Sequence, residues 1–163
     1  MSSKPWYSKG LRFECQRTGN CCTSHGEYAY VYLAAGDVAA MSAELGLTEP
    51  AFLERYCAKD DSYTILRMDA PRCPFLTEEN TCAVYRARPK QCATWPFWHE
   101  NLEQARWEGP IRERCEGIGK GRLHPPEEIE RIVRETEDWY GAADAAAAAA
   151  AEEEDEDNEA GEE

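Results

Sequence analysis

The sequence CPFLTEENTCAVYRARPKQCATWPFW occupies residues 73–98 and contains Cys73, Cys82 and Cys92 of the chain's eight cysteines. Eight and nine residues separate these cysteines, and each lies near turn-forming residues. A proline follows the first, the polar segment TEEN precedes the second, and another proline comes three residues before the third. Proline fixes the local backbone, and polar turns reverse the chain. Thiols on three such stiffened loops are typical of metal ligands, so we expect a metal site to organise the fold.

A second group of thiols lies in the N-terminal sequence LRFECQRTGNCC. Gly19 and Asn20 accept a left-handed backbone, so the chain can curl and direct Cys15 and one of the next two cysteines to a common point. Adjacent residues of an extended segment point to opposite sides. Cys21 and Cys22 therefore bind one mononuclear ion together only where the backbone bends sharply. Either one of the pair is not a direct ligand, or the site is polynuclear.

The formal net charge of −14 belongs to the C-terminal end of the chain. Thirteen acidic side chains and no Lys or Arg lie from residue 135 onward, which leaves residues 1–134 with a formal charge of only −1. A nucleic-acid-binding surface needs a concentrated excess of Lys and Arg. No apolar run approaches the roughly 20 residues that span a bilayer. We therefore expect neither nucleic acid nor a membrane as a partner.

The N-terminal sequence MSSKPWYSKGLRFEC has no apolar stretch before its first cysteine, so it does not resemble a secretory signal. A cytoplasmic location follows as the default expectation. In a reducing cytosol, clustered thiols more often bind metals or carry out redox chemistry than form disulfides. The eight cysteines therefore favour a metal site over four disulfide bonds.

The segment between the two thiol groups predicts strands and helices. Alternating aromatic and aliphatic residues over 27–33 predict a strand, and residues 62–68 predict a second strand paired with it. Residues 34–45 have the spacing of a helix, and Gly46 stands where a C-terminal cap belongs.

A second helix is predicted directly afterwards, with Thr48 as its N-cap. Phe52, Leu53 and Tyr56 are its expected buried face. Cys57 follows with no turn-forming residues around it, so we interpret it as a small buried apolar residue.

The C-terminal third predicts mainly helix. Residues 99–114 indicate a polar helix or a long connection. The glycine-rich sequence at 115–121 lacks P-loop spacing, so its glycines are expected to let the backbone approach a cofactor or the core. A terminal helix is predicted over 125–140, and the alanines of 142–151 extend it. The acidic residues 152–163 cannot bury apolar area and are expected to be disordered.

A recognisable pattern unites the cysteines with their neighbours. It consists of Phe13 before Cys15, Gly19 with Cys21 and Cys22, CPFL at 73–76, Cys82 with Tyr85, Arg88-Pro89 with Cys92, Trp95-Pro96-Phe97-Trp98, and Cys115 with its following glycines. This pattern resembles the YkgJ-like cysteine-cluster family, also called CxxCxxCC, over residues 11–122. That family is described as zinc- or iron-chelating, and iron–sulfur binding is proposed for it. One departure is Thr18, since family members often carry a further cysteine there.

The resemblance implies a set of seven metal-ligating thiols, with Cys57 outside it. The set is Cys15, Cys21, Cys22, Cys73, Cys82, Cys92 and Cys115. Four thiolates suit zinc or one [4Fe–4S] cluster and suit Mg²⁺ or Ca²⁺ poorly. Two tetrahedral zinc sites need eight ligands, so seven thiols leave such a pair incomplete unless Cys57 or His25 completes it. The spacing does not choose between the metals.

Other polar side chains carry no catalytic pattern. His99 and His124 are expected to be surface or capping residues. Arg88 either donates to thiolates or cluster sulfurs or pairs with an acidic neighbour. An apolar wall that limits water at the metal is expected from Tyr85, Trp95, Phe97 and Trp98. No Ser–His–Asp order, paired carboxylates or nucleotide fingerprint is evident, so we assign no catalytic residue.

These observations predict a small α+β domain over residues 11–140, in which short strands and helices surround a cysteine-ligated metal centre. Residues 1–10 form an N-terminal extension and residues 141–163 an Ala-rich, acidic, low-complexity tail. Because the core is modest, metal binding should be coupled to folding.

The expected function is that of a metal-binding cysteine-cluster protein. It would hold an iron–sulfur cluster, 4Fe–4S by preference, or zinc, in a structural, metal-handling or electron-transfer role. The alternative is an iron–sulfur-dependent enzyme that modifies a protein or small substrate, related to flagellin lysine methylases, which carry a related cysteine motif. A third interpretation is an interaction protein whose acidic tail recruits a basic partner. The sequence leaves enzymatic activity, substrate and oligomeric state open.

Overall fold

The computed structural model describes residues 3–23, 30–68 and 71–160, and for residues 154–160 it describes only the backbone. It contains helices and short antiparallel strands, so the α+β class expected from the sequence is confirmed. The first half of the strand expected at residues 27–33 lies outside the described residues.

A three-stranded antiparallel sheet has the order β2 (Tyr32–Leu33), β4 (Tyr63–Leu66), β3 (Cys57–Asp60). Tyr32 pairs with Ile65, so the predicted pairing of the two strands is confirmed. The strand β3 was not predicted, since the sequence CAKD has neither alternation nor large side chains. It forms because a tight turn folds it back onto β4.

Two helices cover this sheet, as the apolar spacing predicts. Helix α1 (Ala35–Glu44) buries Val38 and Met41, and helix α2 (Glu49–Tyr56) buries Phe52 completely. Thr48 is confirmed as N-cap, since its Oγ1 accepts a hydrogen bond from the backbone N–H of Ala51.

The prediction that Leu53 is buried is wrong, because this side chain is 37% exposed. Successive helical residues lie about 100° apart around the axis, and a two-turn helix that buries Phe52 turns the next residue outward.

The strands β1 (Leu11–Phe13) and β5 (Ile118–His124) form a separate antiparallel pair that the sequence did not predict. Glycines, which lack a Cβ atom, allow the two chain segments to approach each other closely. A Cβ atom on Gly117 would lie 2.3 Å from the carbonyl oxygen of Glu14, and one on Gly121 would lie 2.3 Å from the Glu14 Cβ. The expectation that these glycines let the backbone approach the core is therefore confirmed. The pairing brings the chain around Cys15 next to the chain around Cys115.

Residues 99–114 are helical, but no single helix type persists. A 3-10 turn (His99–Leu102) is followed by α4 (Gln104–Arg106), a π-helical turn (Trp107–Ile111) and α5 (Arg112–Arg114). Pro110 lies inside the π turn, and its missing N–H explains the local departure from α-helical bonding.

Helix α6 (Pro126–Ala160) docks through Ile129, Val133 and Trp139. The alanine run extends this helix as expected, and Ala143 and Ala147 are also buried. The helix continues through residue 160, whereas disorder was expected from residue 152. Alanine and glutamate are both strong helix formers, which accounts for this difference. No helix in the described part of the chain is long and apolar enough to cross a membrane.

Two apolar clusters form the interior. One contains Met41, Phe52 and Leu66, with the partly buried Cys73 and Cys82 packed at its edge. The other contains Leu11, Phe97, Trp107, Ile111, Ile118 and Ile129, and Cys115 packs at its edge. Thiols of the predicted set therefore lie on the borders of both clusters.

Candidate metal centre

The first thiol loop bends sharply at Gly19, which has a left-handed φ of 76°. A single 3-10 turn (Asn20–Cys22) follows, and the Thr23 hydroxyl closes it by donating to the Gly19 carbonyl at 2.9 Å. The Sγ atoms of Cys21 and Cys22 consequently lie 3.9 Å apart. This is the bend that adjacent thiols need in order to face one site.

The second thiol loop is joined to the first through the backbone. The N–H of Cys73 donates to the carbonyl of Cys22 at 2.7 Å, and Thr23 pairs with Arg72 in an isolated antiparallel bridge. Another isolated bridge pairs Leu76 with Cys82. These backbone contacts thus hold Cys22, Cys73 and Cys82 on neighbouring segments.

Cys92 lies on the one-turn helix α3 (Lys90–Thr94), which neighbouring elements hold in place. The carboxylate of Asp37 accepts from the Lys90 N–H at 3.0 Å, and Gln91 accepts from the Tyr32 N–H at 3.0 Å. The sequence analysis identified neither Asp37 nor Gln91 as a contact of this helix. No local pattern reveals contacts between residues more than fifty positions apart.

Cys115 closes the site from the C-terminal side, directly after α5. Its N–H donates to the Ile111 carbonyl at 2.9 Å, and the Glu14 N–H donates to the Gly117 carbonyl at 3.1 Å. The segment that carries Cys115 is therefore bonded to the residue directly before Cys15.

The thiols also influence one another electrostatically, which places them in one region. Burial raises the pKa of Cys73, and Cys82 and Cys21 add to the shift. Cys92 is exposed at the surface, yet desolvation by the surrounding protein atoms, followed by the charges of Cys73, Cys21 and Cys82, raises the pKa of its thiol to about 12. Neighbouring thiolates repel one another, and a bound cation would remove that repulsion.

The adjacent pair of thiols behaves as one unit. The contact between them is the main cause that raises the pKa of Cys21 and lowers the pKa of Cys22. One thiol of the pair therefore stabilises the thiolate of the other. The charge of Cys22 interacts with Cys73, Cys92 and Cys82, whereas Cys115 interacts with Cys21 and Cys15.

All eight cysteines are free thiols. Their exposure divides the predicted set. Cys15, Cys21 and Cys92 are exposed, and Cys22, Cys73, Cys82 and Cys115 are partly buried. Within the described residues, no group of three or more His, Cys, Asp or Glu side chains stands in ligating geometry. The thiols are thus gathered on joined segments, and their side chains are not closed around a single point.

Cys57 differs from the other seven. It begins β3, is only 5% exposed and packs in the cluster around Phe52. Burial raises the pKa of its thiol. The interpretation of Cys57 as a buried apolar residue is confirmed.

The histidines fall into three different settings. His25 lies outside the described residues. His99 is exposed as expected, with Nδ1 at 3.5 Å from Glu137 Oε1. The prediction for His124 is wrong, because this side chain is only 8% exposed. It ends β5 opposite Leu11, and that register turns its ring into the core, where Nε2 lies 3.1 Å from the Phe13 carbonyl oxygen.

Of the two alternatives for Arg88, its surroundings favour interaction with the thiols. Its guanidinium carbon is 3.9 Å from the centre of the Tyr85 ring, and its charge favours the thiolates of Cys21 and Cys92. Among the acidic side chains that the structure describes, none forms an ion pair with it. Tyr85 itself is 59% exposed, so its expected burial in an apolar wall is wrong. Arg88 stacks on its outer face instead.

A cavity of about 590 Å³ lies elsewhere, between the 99–106 segment and α6. Its lining combines Tyr7, Leu102 and Val133 with charged side chains, and it includes none of the thiols. The thiol loops are therefore separate from this cavity.

The comparisons with known proteins agree with this arrangement. Residues 14–116 match a family model, CxxCxxCC, whose description is "Putative zinc- or iron-chelating domain". The matched segment includes every thiol of the predicted set. No solved structure matches the chain.

Proposed function

Since the chain belongs to the CxxCxxCC family, whose domain is of a zinc- or iron-chelating type, we propose that its seven family-type thiols hold an iron–sulfur centre, with zinc as the alternative metal. The observation that carries this proposal is the joining of the thiol loops. The Cys73 N–H bonds to the Cys22 carbonyl, and the Cys21 and Cys22 sulfurs lie 3.9 Å apart beside it.

The interactions link thiols of all the loops. Cys21 and Cys22 act on Cys73 and Cys92, and Cys115 interacts with Cys21 and Cys15. Four thiolates are the donor set of a [4Fe–4S] cluster and also of tetrahedral zinc.

The number of thiols favours the polynuclear choice. One [4Fe–4S] cluster needs four of the seven, whereas two tetrahedral zinc sites need eight. The sulfurs of Cys21 and Cys22 are 3.9 Å apart, close enough to ligate one centre. An iron–sulfur centre would supply one-electron transfer or structural rigidity. The chain's cysteine thiolates would ligate its iron atoms, and Arg88 would offset the negative charge of the thiolates.

Metal analysis of anaerobically purified protein tests this proposal. We expect iron and sulfide together with a broad absorption near about 400 nm. Stoichiometric zinc in colourless protein would overturn the iron–sulfur part of the proposal and support zinc chelation instead. Neither metal in protein purified without chelator would overturn both.

Matched serine variants test the assignment of ligands. Cys73→Ser removes a partly buried thiol of the joined loops and should lose metal. Cys57→Ser changes a buried thiol of the β-sheet and should retain it, although a buried hydroxyl costs about 1–3 kcal/mol of stability. Equal loss of metal in both variants would contradict the separation of Cys57 from the site.

A further inference from the structure

The indole N–H groups of the tryptophans differ in whether they have a hydrogen-bond acceptor. Trp6 donates to the Leu102 carbonyl at 2.7 Å, Trp98 donates to the Thr94 hydroxyl at 3.1 Å, and Trp139 donates to the Asp37 carboxylate at 2.7 Å. The Nε1 atom of Trp95 is buried and has no hydrogen-bond partner among the residues that the structure describes. A buried donor without an acceptor is unfavourable, and native structures seldom retain one without a reason.

Neighbouring side chains restrict the movement of the Trp95 ring. It packs against the apolar cluster around Phe97, and it meets Trp98 edge-on with ring centres 4.8 Å apart. Trp98 is in turn held by its bond to Thr94. The donor is therefore fixed in a buried setting by its neighbours.

Cys115 is the thiol of the set that packs against the same apolar cluster as Trp95. The Trp95 N–H lies near enough to this sulfur to favour its thiolate, although the two atoms are not hydrogen-bonded.

We propose that Trp95 is a positioning residue of the metal centre, whose indole N–H donates to the sulfur of Cys115 once that sulfur binds metal. The inference rests on the proposed function. A metal-bound thiolate keeps lone pairs and negative charge, so it accepts N–H donors well. Groups that orient ligands in this way typically change metal affinity about 10- to 100-fold. The bond would also satisfy the buried indole donor of Trp95.

Ultraviolet resonance Raman spectroscopy of the indole N–H marker band tests the bond directly. The protein is measured as purified with its metal and again after chelation. We expect the band to shift toward stronger hydrogen bonding in the metal-bound wild type, and the difference to vanish in Trp95→Phe. A metal-bound wild type with no shift would overturn the role of Trp95. Protein that holds no metal would overturn the proposed function instead.

Chelator competition supplies the second measurement. Trp95→Phe should lose its metal about 10- to 100-fold faster than wild type, whereas the matched variant Trp98→Phe should be close to wild type. Equal acceleration in both variants would show a packing effect and overturn the inference. Because the Raman shift is read on wild type, the test stands even if Trp95→Phe folds poorly.

Discussion

The sheet with its two helices and the thiol loops are stabilised in different ways. In the first region Met41 and Phe52 are completely buried, and regular strands and helices satisfy the backbone. In the second, isolated bridges and single turns hold the backbone, and the thiols lie on the borders of the core, where they would repel one another as thiolates. Burial of apolar surface can hold the first region alone. We expect the second region to depend on a bound metal, which would stabilise the thiolate forms of its cysteines.

The cysteines illustrate the same difference within one residue type. Cys57 lies in the first region, where a small apolar side chain fills the core beside Phe52. Cys22 and Cys73 lie in the second, where the backbone bond between them brings two loops together. Position in the fold, rather than residue type, separates a packing thiol from a ligand.

Removal of the metal should give the largest difference in stability between the two regions. Thiolate metal sites contribute roughly 10–16 kcal/mol of apparent binding free energy when they are structural. We expect the amides of Cys22 and Cys73 to lose protection from hydrogen exchange after chelation, while those of α1 and α2 stay protected. Uniform loss of protection would show that both regions depend on the metal.

Phe52→Ala should have the opposite effect. Truncating this buried ring leaves a cavity and should lower the free energy of unfolding by about 3–5 kcal/mol, measured by denaturant titration of the metal-bound protein. The folded fraction should keep its full metal content. Loss of metal in proportion to stability would contradict the independence of the regions.

Asp37 connects the two regions, so its replacement should affect both. Its carboxylate accepts hydrogen bonds from Ala34, Lys90 and Trp139, and Lys90 begins the helix that carries Cys92. Asp37→Ala should cost about 1–3 kcal/mol in thermal or chemical unfolding, because these donors lose their acceptor.

The same variant should release metal faster to a chelator. Asp138→Ala, which removes an exposed carboxylate from α6, is the matched control and should change neither property. A stability loss without faster metal release would show that Asp37 serves the first region alone.

The smallest expected effect is a pH dependence confined to the metal-free protein. The pKa of Cys92 in the folded chain is raised to about 12, above the value of about 8.5 for an unfolded chain. The folded form then binds more protons than the unfolded form between these values, so stability is complete below about pH 8.5 and declines as the pH rises. Denaturant titrations at pH 7 and pH 10 should show this decline without metal and not with it.

The helices α1 and α2 could be predicted because their apolar spacing is local. The strand β3 could not, since CAKD forms a strand only through its partner β4. His124 was misjudged for the same reason, because pairing with Leu11 across the chain decides which way it faces. The thiol set was recognisable from its neighbours, but its grouping depends on contacts between distant segments. The boundaries at residues 11 and 140 stay a prediction.

The bonds from Cys73 to Cys22 and from Glu14 to Gly117 have a consequence for how the protein is made. Ribosomes add about 5–20 residues per second, so Cys21 and Cys22 precede Cys115 by roughly 5–20 seconds of synthesis. Since Cys115 belongs to the proposed ligand set, the proposed centre would be complete only after that last thiol has been added. We therefore expect loading with metal to be one of the last events in the maturation of the chain.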